Sequence, residues 1–129
     1  MATIKSYTDL EQSKKLAEIL PLESADMNWH ELPPIELFIR AFPYKHDNGA
    51  TEGIYPCWSL AALLEQLPYE LCDDVGNSSY LQINKEDDVY QLVYEDPYED
   101  FESMETDRYE HFIDACYEMI IKLNELNLL

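Results

Sequence analysis

A chain of 129 residues with 27 acidic and 8 basic side chains carries a formal charge of −19 at pH 7. That charge argues against direct binding of nucleic acid, which needs cations to displace phosphate counterions, and it disfavours anionic membrane surfaces. Hydrophobic residues make up 47% and aromatics 12% of the chain, so it lacks the low-hydrophobicity signature of disorder, and its length matches one domain with one core.

No stretch approaches the roughly 18 to 20 consecutive apolar residues of a membrane span. The N-terminus, Met1-Ala2-Thr3-Ile4-Lys5-Ser6, lacks the apolar segment of a secretory signal, so a cytoplasmic location is expected. Cys57, Cys72 and Cys116 form an odd set without CxxC spacing and are read as reduced thiols rather than a disulfide framework or zinc site.

The first helix is predicted from Thr8 and Glu11, which have capping-box spacing. Leu10, Leu16, Ala17, Ile19 and Leu20 supply its apolar stripe, and Pro21 stops it. Between Asp26 and Phe42 the pattern changes to two strands broken at Pro33-Pro34, the second running from Ile35 to Phe42. Asn48-Gly49 marks a turn within Asp47 to Gly53, followed by a third short strand near Thr51 to Tyr55. The run Leu60 to Leu67, ended by Pro68, reads as a buried helix.

After a turn through Asp73 to Ser79, the segments Tyr80 to Asn84 and Val89 to Tyr94 alternate around Lys85-Glu86-Asp87-Asp88, which predicts a hairpin. Glu95 to Asp107, acidic and interrupted by Pro97, is expected to be a loop. From about Arg108, the residues Phe112, Ile113, Cys116, Met119, Ile120, Leu123 and Leu126 recur at helical steps. The expectation is an α+β single domain: three helices on a mostly antiparallel sheet of four to five strands, in the order α-β-β-(β)-α-β-β-α. Glu18, Leu20, Pro21, Glu23 and Asp26 recur 47 residues later as Glu65, Leu67, Pro68, Glu70 and Asp73. Read as an internal repeat, that echo would make the chain two helix-strand-strand units plus a closing helix.

The inventory of reactive residues is thin. Gly49, Gly53 and Gly76 make no phosphate-binding loop. His30, His46 and His111 fall in no metal-ligand spacing. Cys57, just upstream of the second helix, is a candidate nucleophile if a histidine reaches it beside Trp58, although buried cysteine is commoner and Trp58 suits a core anchor. Cys116 lies on the apolar stripe of the last helix. No residue is assigned a catalytic, cofactor or metal role.

Glu86 to Glu110 stands out, with eleven acidic residues and one basic residue, Arg108, interleaved with Tyr90, Tyr94, Tyr98, Phe101 and Tyr109. Its acids lack the order of an EF-hand calcium loop. Tyrosine anchors with steering carboxylates suit docking to a basic protein surface, and the expected contact residues are Tyr90, Tyr94, Glu95, Asp96, Tyr98, Glu99, Asp100 and Phe101. Spaced carboxylates can also imitate DNA phosphates on a nucleic-acid-binding partner, or simply form a solvated face.

Over Tyr7–Met27, Pro56–Leu64 and Ile113–Leu123, the chain resembles a family of small acidic hypothetical proteins of gut anaerobic bacteria and their phages and mobile elements. The resemblance implies a genetic setting, that of a mobile-element accessory protein, and supplies no catalytic residues.

Overall fold

A computed structural model describes residues 5–31, 33–39, 53–72, 76–95 and 104–129. Among these residues, three helices and two antiparallel sheets make the chain α+β, with seven strands where four or five were expected. Its contacts gather in two compact units, Lys5–Gln66 and Leu67–Leu129.

In the first unit, helix α1 (Leu10–Leu16) starts one residue later than its sequence signature suggested. Asp9 is the cap: its carboxylate accepts the Gln12 N–H at 2.8 Å, and the Gln12 side chain accepts the Asp9 N–H at 3.1 Å. Thr8 is excluded from that role by tertiary contacts, because its buried hydroxyl shares a hydrogen bond with Ser13 and accepts the Trp58 N–H. A short 3-10 turn, Leu22–Ser24, leads into strand β1 (Met27–His30).

Strand β1 is central, flanked by β2 (Glu36–Phe38) and β3 (Ile54–Cys57) in the order β2-β1-β3. Both expected strands between Asp26 and Phe42 are therefore present. Residues 40–42 of the longer prediction, and the turn expected around Asn48-Gly49, lie outside the described residues. The third strand forms two to three residues later than expected, and Pro56 is tolerated in it because β3 is an edge. Helix α2 (Leu60–Gln66) follows. Leu16, Leu20, Ala25, Met27, Cys57, Trp58 and Leu63 form the buried apolar set.

In the second unit, strands β4 (Glu70–Cys72), β5 (Ser78–Glu86), β6 (Val89–Glu95) and β7 (Met104–Glu105) form a four-stranded meander, with helix α3 (Phe112–Glu125) packed on β6. The hairpin ladder runs on to Glu86↔Val89, so Lys85 and Glu86 are strand rather than turn. Only Asp87-Asp88 turns, with Asp87 at a positive φ of 53°, a conformation that aspartate tolerates better than most residues.

Strand β7 lies in the segment expected to be a loop. Helix α3 begins at Phe112 rather than Arg108 because Tyr109 is tied to β6: it exchanges both backbone hydrogen bonds with Tyr90, at 2.7 and 2.8 Å. Ile113, Cys116, Met119, Ile120 and Leu123 are each fully buried, as their spacing predicts, and each such apolar side chain contributes about 1.5 to 3 kcal/mol. The succession of helix then strands recurs, but the first strand is central in one sheet and at the edge of the other. The 47-residue echo does not extend to sheet order.

Candidate functional site

Side chains on a strand alternate between faces, and in the second unit that rule separates the two ingredients of the acidic, tyrosine-rich region. Tyr90, Leu92 and Tyr94 share the face toward α3, where the Tyr90 ring meets Phe112 at 5.2 Å. Tyr94 is fully buried and its hydroxyl donates to the Pro68 carbonyl at 2.5 Å. Burial pushes its pKa well up. Tyr94 is therefore a core residue and not a docking anchor, and Tyr90 is half-buried on the same face.

The opposite face carries the acids. Glu95 pairs in register with Tyr80, Tyr80 with Glu70, and Glu105 with Val93. Glu86 falls on the same face two and four positions beyond Asn84 and Gln82. Glu70, Glu86, Glu95 and Glu105 are all exposed. The Ser78 hydroxyl, 2.7 Å away, and the Cys72 thiol donate to Glu70 and hold its carboxyl below the usual range. Asp96, Tyr98, Glu99, Asp100 and Phe101, named from the sequence as contact residues, lie outside the described residues.

Two aromatic residues that the sequence reading did not single out sit with these acids. Tyr69 is 74% exposed and its ring lies 5.6 Å from that of Tyr80. The Tyr69 carbonyl accepts the Leu81 N–H at 3.0 Å, which fixes it beside β5. Its signal in the sequence, a tyrosine just after Pro68, is too local to reveal a partner eleven residues away.

The charge balance also differs between units. Among the described residues, the ion pairs Lys5–Asp9, Lys14–Glu31 and Lys15–Glu18 all belong to the first unit. Glu86, Asp87, Asp88, Glu95, Glu105 and Glu110 pair with no described cation. No group of three or more His, Cys, Asp or Glu side chains suited to a metal ion occurs among the described residues, and none of their helices is long and apolar enough to cross a membrane.

Cys57, the candidate nucleophile, is fully buried in β3. Its thiol donates to the Thr8 carbonyl at 3.3 Å and accepts from the Thr8 hydroxyl at 3.5 Å. Burial pushes the thiol pKa up, against the opposing hydrogen bonds of Thr8 and Ser13, so the nucleophilic thiolate is disfavoured. On the neighbouring strand Met27 stands opposite Cys57 and His30 opposite Ile54, a separation of about 10 Å along the strand. His30 instead stacks on Phe38 with ring centroids 3.9 Å apart. His46 lies outside the described residues, and His111 belongs to the other unit, at the N-cap position of α3 without a side-chain capping hydrogen bond. Trp58 is a buried core anchor, with its indole N–H donating to Ser24 at 2.9 Å.

Comparison of the chain with protein-family models, with curated proteins and with solved structures finds no match.

Proposed function

We propose that this chain is a non-enzymatic, cytoplasmic interaction protein whose second unit docks onto a basic surface of a partner protein. A mobile-element accessory role fits the family resemblance. The observation that carries the reading is the acidic open face of the sheet β4-β5-β6-β7, where Glu70 and Glu95 stand opposite Tyr80 on the flanking strands, Tyr69 lies against Tyr80 and Glu105 follows on β7, none of these acids in an ion pair with a described lysine or arginine.

Unneutralised surface charge costs stability through self-repulsion, and it also accelerates encounter with an oppositely charged partner. Tyrosine rings supply rigid contact area and a π-face that attracts arginine or lysine. The docking surface is therefore two aromatic anchors flanked by carboxylates, with the expected contact residue Glu95 retained and Tyr94 replaced by Tyr69 and Tyr80.

The test is affinity capture with the full chain as bait at about 50 and 500 mM salt, since exposed charge pairs are screened over roughly 8 Å at physiological ionic strength. A partner held at low salt and released at high salt is expected. Y69A/Y80A should lose it by more than tenfold, as a pair of anchors each worth about 1 to 2 kcal/mol predicts, and E70Q/E95Q/E105Q should slow its association. Absence of any salt-sensitive partner overturns the reading. Competition by duplex DNA for the captured protein would assign the carboxylates to phosphate mimicry.

A further inference from the structure

The hairpin β5-β6 borders a hollow of about 480 Å³ that the docking reading does not use. Its size falls in the range of small-molecule sites, about 300 to 1,000 Å³. Asn84 and Gln91, directly paired across the hairpin, line it together with Glu86, Val89 and Arg108. Tyr109, locked to Tyr90 by two backbone hydrogen bonds, fixes the backbone next to Arg108.

The charges around this hollow are unusual for the chain. Arg108 forms no ion pair or hydrogen bond with any described residue, although 27 side chains of the chain are acidic. Glu86 lines the same hollow and pairs neither with Arg108 nor with any other described cation. Lys85 borders the hollow too, but its ammonium turns to the opposite face of the hairpin, 5.4 Å from the centroid of the Tyr90 ring with which it pairs in register. The Gln91 side-chain N–H donates to the Thr106 carbonyl at 2.9 Å, which leaves its amide oxygen as an acceptor.

The hollow thus offers a guanidinium, a carboxylate that stands apart from it, amide groups and the apolar Val89 side chain. A simple anion would use Arg108 but meet the field of a chain at −19. A simple cation would leave Arg108 unused. A ligand bearing both charges uses both groups and, being neutral overall, feels little net repulsion.

The geometry points to a binding site for a free aliphatic α-amino acid at the β5-β6 hairpin, its carboxylate held by Arg108 and its ammonium by Glu86 with the Gln91 carbonyl. Arg108 suits the carboxylate because its planar fork forms two parallel hydrogen bonds. Val89 provides the apolar wall for the side chain. This inference is independent of partner docking, since either can fail with the other intact.

The test is a titration of the full chain with L-leucine, followed by backbone amide shifts. Saturable shifts are expected at Asn84, Gln91 and Arg108. Leucinamide, which lacks the carboxylate charge, and N-acetyl-leucine, which lacks the ammonium, should each bind about tenfold more weakly, the loss of one charge-assisted contact. R108M should weaken leucine about tenfold and abolish the preference over leucinamide; E86Q should abolish the preference over N-acetyl-leucine. Both side chains are exposed, so unchanged melting temperatures check that the variants remain folded. No saturable shift at about 30 mM leucine, a free energy weaker than any useful site, overturns the proposal. So does equal binding of the three ligands, or shifts confined to other residues.

Discussion

The two units of this chain solve the same problem with different chemistry. In Lys5–Gln66, buried polar side chains tie the segments together: Thr8 bonds Ser13, Cys57 and the Trp58 backbone, and the Trp29 indole donates to the Thr8 carbonyl. In Leu67–Leu129, a continuous sheet places Leu92 and Tyr94 toward the apolar stripe of α3, and its exposed acids go without ion pairs to described residues. The first unit adds a knot of directional bonds to its buried apolar set and so depends on a few atoms, whereas the second, held chiefly by apolar area, can leave its polar face available for binding.

The contrast would be broken most directly by truncating each kind of contact. Leu123→Ala in the α3 stripe should cost about 3 kcal/mol in urea denaturation, the usual loss for a fully buried leucine whose site cannot collapse. A cost below 1 kcal/mol would mean that the helix is not held by its apolar face.

An alkaline titration tests the same contrast through the thiols. Burial pushes Cys116 from an ordinary pKa of 9.0 up to about 12. The unfolded chain releases this proton near pH 9 while the folded chain keeps it until about 12, so the unfolded state binds fewer protons across that window and stability falls as pH rises. Its contribution is about 2 kcal/mol lost by pH 10.5. Cys116→Ala should therefore lose less stability than the parent between pH 8 and 10.5. At Cys57 the hydroxyls of Thr8 and Ser13 oppose the effect of burial, and Cys57→Ala should flatten the profile less. Equal flattening by both would remove the distinction between the units.

The smallest expected effect is at the polar knot. Thr8→Val leaves the Trp58 N–H without its side-chain acceptor and the Ser13 hydroxyl without its partner, for a cost of about 1 to 2 kcal/mol. Thr8→Ser keeps the hydroxyl and should recover most of it. If valine and serine are equivalent, the hydrogen bonds do not hold this unit together.

How much was legible followed from the length of the signal. Helix α3 and the β5-β6 hairpin were readable because their apolar patterns persist over 14 residues and over paired strands of 9 and 7. Strands β4 and β7, of 3 and 2 residues, are too short for alternation to register and exist because β5 and β6 offer open edges. The helix-start signature was present twice in overlapping form, Thr8-x-x-Glu11 and Asp9-x-x-Gln12, and only the burial of Thr8 against Trp58 selected the second. Of the residues expected from the sequence to touch a partner, Glu95 is exposed, while Tyr94 went to the core.

From the amino-acid sequence alone came the acidity, the α+β class, the apolar stripe of α3 and the concentration of acid after Glu86, since these depend on composition and on neighbours a few residues apart. Tertiary structure decided which way each side chain faces. Pairing fixed the register that sends Tyr90 and Tyr94 toward the helix and Glu95 and Glu105 away from it, and it brought Tyr69 to Tyr80 and Arg108 to the hairpin. A shift of one residue in that register would exchange the two faces, which is why a list of acids and tyrosines could locate the region but not the surface.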